Sequence, residues 1–185
     1  MKKLVLYVHG KGGSAEEAEH YVPLFPDADV LGFSYRSQMP WEAQKEFPLF
    51  FDKVTAGYDR VNVIANSIGA FFTLCALGGY GEKYLDKAFF ISPVVNMDTV
   101  IGNMMVFSGV TEEELRRKKE IPTAFGETLS WDYLFWVRSH PIKWNVKTEI
   151  LYGSTDNLQS IDVIRTFAKK HNAGLTVMDG GEHWF

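Results

Sequence analysis

The chain has 185 residues, enough for one domain with a real hydrophobic core. Apolar residues make up 46% and charged residues 23%, the balance of a globular protein, and no run approaches the length needed to span a bilayer. A net charge of −4 and a pI near 5.7 argue against nucleic acid or an anionic membrane surface as a partner. The opening apolar run stops at His9, too short for a secretory leader, so a cytoplasmic location is expected. Cys75 is the only cysteine, which rules out an intramolecular disulfide and a cysteine metal cluster; its apolar neighbours predict a buried, inert thiol.

Six short β-branched or aromatic runs recur: Leu4–Val8, Val30–Tyr35, Val61–Ala65, Ala88–Ile91, Glu149–Tyr152 and Leu175–Met178. They are mainly apolar runs rather than alternating ones, as expected of strands covered on both faces. Helical patterns fall between them. Ser14-Ala15-Glu16-Glu17 is a capping-box signature, and Trp41–Val54 has apolar residues at helical spacing, with Pro48 expected to kink or break it. Ser160–Asn172 is amphipathic and is expected to end on Gly174 as its C-cap. Alternation of this kind predicts an α/β fold, a three-layer α/β/α sandwich around a mainly parallel six-stranded sheet.

The stretch of about residues 94–143 breaks the rhythm. It has no strand-like run, only helical pieces at Asn96–Phe107, Thr111–Lys119 and Ser130–Ser139. Part of the high aromatic share, 15%, is concentrated there with several methionines. Such an insert is either a helix layer on the sheet or a cap over a pocket, and the two are compatible.

Two turns carry the candidate chemistry. Ala65-Asn66-Ser67-Ile68-Gly69 follows the third apolar run directly, with small residues two before and two after a serine. That is the pattern of a nucleophile elbow, a tight turn that lifts a serine oxygen off the sheet edge. His9-Gly10-Lys11-Gly12-Gly13-Ser14 follows the first run and brings backbone N–H groups together. Gly10-x-Gly12-x-x-Ala15 also satisfies a relaxed dinucleotide fingerprint. A dinucleotide domain needs an acidic residue after its second strand; Arg36 stands there instead, which leaves NADP as the only cofactor open to that alternative. An oxyanion turn beside the elbow explains both loops together, and it needs neither cofactor nor metal.

A serine nucleophile needs a base, and the base needs an orienting carboxylate. His183, in a loop past the last run, can swing over the elbow. His9 is expected to hold its own loop; His20 and His171 lie on exposed helical stretches, and nothing in the spacing favours His140. Asp156 follows the fifth run on a turn at the sheet's carboxyl edge, with Asp98 as the runner-up.

The order Ser67, Asp156, His183, with Tyr152-Gly153 and Gly181-Glu182 around the last two, resembles the α/β-hydrolase superfamily, especially its small bacterial serine hydrolases. The resemblance covers nearly all of the chain. It implies Ser67 as nucleophile, His183 as base, Asp156 as its partner, and the backbone N–H groups of Ile68 and Lys11 as oxyanion donors. It also implies a small-molecule ester, thioester or amide substrate and an insert that shapes an acyl pocket. His9, Met104, Met105, Phe107, Trp131, Phe135 and Trp136 are the candidates to line that pocket. Three departures stand out. Alanine opens the elbow where the family has glycine, the oxyanion strand is the first element, and two residues follow His183 where the family continues into a closing helix. A catalytically silent binding protein on the same fold remains an alternative.

Overall fold

The computed structural model describes residues 1–184. In chain order the elements are β1 (Lys3–Val8), a 3₁₀ helix (Ala15–Leu24), β2 (Asp29–Phe33), α1 (Pro40–Thr55), β3 (Arg60–Asn66), α2 (Ile68–Leu77), a single 3₁₀ turn (Gly81–Lys83) and β4 (Lys87–Ile91). There follow α3 (Met97–Ser108), α4 (Glu112–Lys118), β5 (Glu120–Pro122), β6 (Thr128–Ser130), α5 (Trp131–Ser139), β7 (Thr148–Gly153), α6 (Ile161–Lys170) and β8 (Gly174–Met178). They divide into two compact units, residues 96–141 and the remainder.

The larger unit holds a six-stranded sheet in the order β2-β1-β3-β4-β7-β8, parallel at every pairing. All six expected strands are present. From β1 the chain steps one way to β2, then returns past β1 to β3. Right-handed crossovers therefore put the 3₁₀ helix on one face and α1 and α2 on the other. Packing agrees: Ala18 of the 3₁₀ helix joins Val5, Tyr7 and Ile64 on one face. Leu4, Leu6, Val8 and Val63 point the opposite way and are fully buried. That reversal leaves a crevice between the carboxyl ends of β1 and β3, where sites in open parallel sheets form.

Much of the aromatic surplus lies beside β2 and α1. Phe33 stacks on Phe50 with centroids 3.8 Å apart and meets Phe47 edge-on at 4.8 Å. Such pairs contribute about 0.5–1.5 kcal/mol each beyond burial.

Neither the break at Pro48 nor the cap at Gly174 is found. α1 runs unbroken through Pro48. Phe47 and Phe51, both fully buried, anchor the helix on either side. Their burial, about 2–3 kcal/mol each, outweighs the roughly 3 kcal/mol cost of an interior proline. α6 ends at Lys170, and Asn172 takes the left-handed turn with φ 50°; Gly174 is the first residue of β8 and not a cap. Asparagine tolerates that conformation, so glycine is not needed for it.

The smaller unit packs α3 against α5. Its three helices lie where the sequence places them, and Thr111 Oγ1 caps α4 by accepting the Glu114 N–H at 3.1 Å. The expectation of no strand there is wrong, because β5 and β6 form an antiparallel hairpin. Its strands have three residues each, one containing Pro122, and are closed by a turn with Gly126 at φ 88°. Runs so short carry no legible periodicity. No helix among the described residues is long and apolar enough to cross a membrane.

Candidate active site

Ser67 directly follows β3 with φ 51° and ψ −119°, a backbone region that L-residues rarely adopt. Its N–H donates to Ile91 O at 3.1 Å, and its carbonyl accepts the Val94 N–H at 3.1 Å, so β4 and the segment after it hold the turn from both sides. The small neighbours have identifiable causes. A Cβ on Gly69 would stand 2.3 Å from the His9 carbonyl oxygen, and one on Gly10 would stand 3.2 Å from Ser67 Cβ. Ala65 is fully buried. Ile68 begins α2, so its N–H has no partner within the helix.

Ser67 Oγ lies 2.9 Å from His183 Nε2, and His183 Nδ1 lies 2.8 Å from Asp156 Oδ2. The Asp156 side chain is 3% exposed and that of His183 9%, so the chain of hydrogen bonds is largely shielded from water. Asp156 Oδ1 accepts the Leu158 N–H at 2.9 Å, leaving Oδ2 for the imidazole. The acid and base turns are laced together: the Thr155 N–H and Oγ1 both donate to Gly181 O, at 2.8 and 2.7 Å. Gly153 permits this contact, since a Cβ there would lie 2.3 Å from Gly181 O. Beneath them, Tyr152 donates to Gln159 O at 2.7 Å, and Gln159 Oε1 accepts the Val95 N–H at 2.7 Å. Burial, with the Asp156 charge adding, pushes the Tyr152 phenol above its ordinary value and keeps it a donor. Neither the Gly153–Gly181 contact nor the role of Gln159 was read from the sequence; the adjacent Gly180-Gly181 pair is the signal that could have suggested the first.

The other candidates fall elsewhere. Asp98 pairs with Arg138 at 3.0 Å, near the start of α3, whose cap is Asn96. The His9 ring stacks on Tyr35 with centroids 4.3 Å apart, its Nδ1 donates to Gly10 O at 2.8 Å, and its carbonyl accepts from Tyr35 Oη at 2.9 Å. These contacts hold the loop. Lys11 and Gly12 form the centre of a turn closed by the Gly13 N–H on Gly10 O, with Gly12 at φ 74°. His171 Nδ1 donates to Trp144 O at 3.0 Å, and the His140 ring stacks on Trp136 at 4.3 Å. In the smaller unit Met105 is buried, Met104, Trp131 and Trp136 are half-buried, and Phe107 and Phe135 are 80% and 61% exposed. No group of three His, Cys, Asp or Glu among the described residues is arranged to hold a metal ion.

No family model and no curated relative matches the sequence. Solved structures do match. Est1E from Butyrivibrio proteoclasticus superposes with a TM-score of 0.73 at 13% identity, over 98% of this chain and 80% of that one. The esterase Pf2001 of Pyrococcus furiosus gives 0.62 at 18% identity, covering 98% and 74%. A thioesterase domain from the curacin biosynthetic pathway gives 0.58 at 14%, covering 98% and 86%. The chain has the α/β-hydrolase fold. In α/β-hydrolase terms, Ser67 stands on the strand-to-helix elbow, and Asp156 and His183 follow the last two strands of the sheet.

Proposed function

We propose that this protein is a serine hydrolase of carboxylic esters or thioesters of small, partly apolar molecules, working without a metal or organic cofactor. The observation that carries this is the hydrogen-bonded series Ser67 Oγ, His183 Nε2, His183 Nδ1, Asp156 Oδ2 on a strained strand-to-helix turn. Ser67 attacks the carbonyl carbon while His183 takes its proton; the C–O or C–S bond then breaks as His183 returns that proton to the leaving group. Water, deprotonated by His183, cleaves the acyl-enzyme and regenerates Ser67. Asp156 holds the imidazole tautomer and stabilises the imidazolium. The Ile68 and Lys11 N–H groups are proposed to receive the oxyanion. One neighbour on this fold is named an esterase and another a thioesterase domain, which supports acyl-group hydrolysis as the chemistry.

The dinucleotide alternative loses ground on one contact. Glu17 Oε1 accepts the Ser14 N–H at 3.1 Å, so a carboxylate stands where a pyrophosphate would need backbone donors. The deciding experiment is labelling with a fluorophosphonate followed by peptide mapping. A single adduct on Ser67 is expected, absent in Ser67→Ala. A parent protein left unmodified at Ser67 would mark a binding protein on a hydrolase fold.

A further inference from the structure

Behind the nucleophile turn, on the sheet face under the 3₁₀ helix, lies a buried polar chain that the proposed reaction does not use. Tyr7 of β1 is 2% exposed, and its hydroxyl donates to Glu17 Oε2. The side chain of Asn66, the residue before Ser67, acts on the same phenol and partly offsets the rise that burial and Glu17 impose on it. The other Glu17 oxygen accepts the Ser14 N–H, at the far end of the glycine turn. The Tyr7 hydroxyl and the Ser14 N–H thus converge on one carboxylate, one bond to each oxygen. Gly13 makes room for it: a Cβ there would lie 2.6 Å from Glu17 Oε1.

A packing role alone would be met by phenylalanine at position 7, with no carboxylate to desolvate. The Glu17 carboxylate instead ties Tyr7, on the strand paired with the one that leads into Ser67, to the loop that carries Lys11. That loop is pinned at its start as well, where Gly10 abuts Ser67 Cβ. Resting on the hydrolase reading above, we propose that Tyr7 and Glu17 are positioning residues that set the Lys11 N–H of the Gly10–Ser14 turn against the Ser67 elbow. They touch no reacting atom and act through the loop.

The test compares the parent, Tyr7→Phe, Glu17→Gln and the double variant by thermal melting, by turnover of p-nitrophenyl acetate and by fluorophosphonate labelling. A misplaced oxyanion donor acts on the transition state, so kcat falls by about tenfold or more, within the 10²–10³ cost of deleting a donor outright, while KM stays within about twofold. Labelling slows in parallel. The double variant loses no more than the worse single one, because both cut the same chain. Glu17→Gln, at a half-buried position, carries the test if Tyr7→Phe fails to fold. A parent that does not label sinks the hydrolase reading and this inference with it. A parent that labels, with folded variants whose kcat matches it or whose KM alone rises, overturns the positioning role only.

Discussion

Gly69 and the carbonyl of His9 approach so closely that a methyl group on Gly69 would stand 2.3 Å from that oxygen and 2.8 Å from the carbonyl oxygen of Val8. Backbone meets backbone there, and neither side has a flexible group that can yield. The contact seats the first turn of α2 on the end of β1, which brings the elbow and the glycine turn together. Gly69→Ala is therefore expected to destabilise the protein by about 1–3 kcal/mol, the usual cost of overpacking, and to lower esterase activity as the two turns separate. Gly57→Ala is the control, since nothing lies within 4 Å of a Cβ there. It should be neutral or stabilising by up to about 1 kcal/mol. Urea denaturation of the two variants checks this; equal midpoints would mean that the approach is not a constraint.

Strain at Ser67 leads to a second expectation. Holding a side chain at φ 51°, ψ −119° costs about 1–3 kcal/mol, whereas glycine adopts that region freely. Ser67→Ala and Ser67→Gly both lose the bond to His183, but only the glycine variant sheds the strain. Its extra freedom in the unfolded chain takes back about 0.4–1 kcal/mol. On balance Ser67→Gly is expected to be about 1 kcal/mol more stable than Ser67→Ala, or some 2–4 °C in Tm for a domain of this size. Calorimetry on the pair decides it, and identical melting points would mean a relaxed elbow. Both variants should lack hydrolase activity, by about 10⁶ in turnover.

The inner strands could be read directly because burial on both faces writes itself as continuous apolar runs such as Leu4–Val8, whereas the exposed edge strand β8 was legible from its β-branched residues alone. Ser67 was legible for a related reason. A turn that tight demands small residues at fixed offsets, and Ala65 and Gly69 supply them. What escaped were relationships between distant segments. Gly153 looks like an ordinary turn glycine until Gly181 is found against it, and the Glu17 carboxylate passes for a capping-box acid until Tyr7 turns out to be its partner. The β5–β6 hairpin escaped for lack of length, and α1 ran through Pro48 because buried aromatics on both sides outweigh a local rule.

The two candidate acids offer the sharpest contrast. Asp156 is almost fully buried and shares its carboxylate between His183 and the Leu158 N–H, whereas Asp98 is 43% exposed and faces Arg138. Asp156→Asn leaves the volume unchanged but offers an amide N–H or a neutral oxygen where the imidazole N–H needs an anion. The tautomer then favoured has its proton on Nε2, facing Ser67, where the base must be free. A fall in kcat of about 10⁴ near neutral pH is expected, with fluorophosphonate labelling of Ser67 slowed in step. Asp98→Asn breaks a surface ion pair worth about 0–1 kcal/mol and should change kcat by a few-fold at most. Steady-state kinetics on the two variants settles the assignment. The opposite pattern would move the acid to the turn after β4, while Ser67 and His183 would keep their proposed roles.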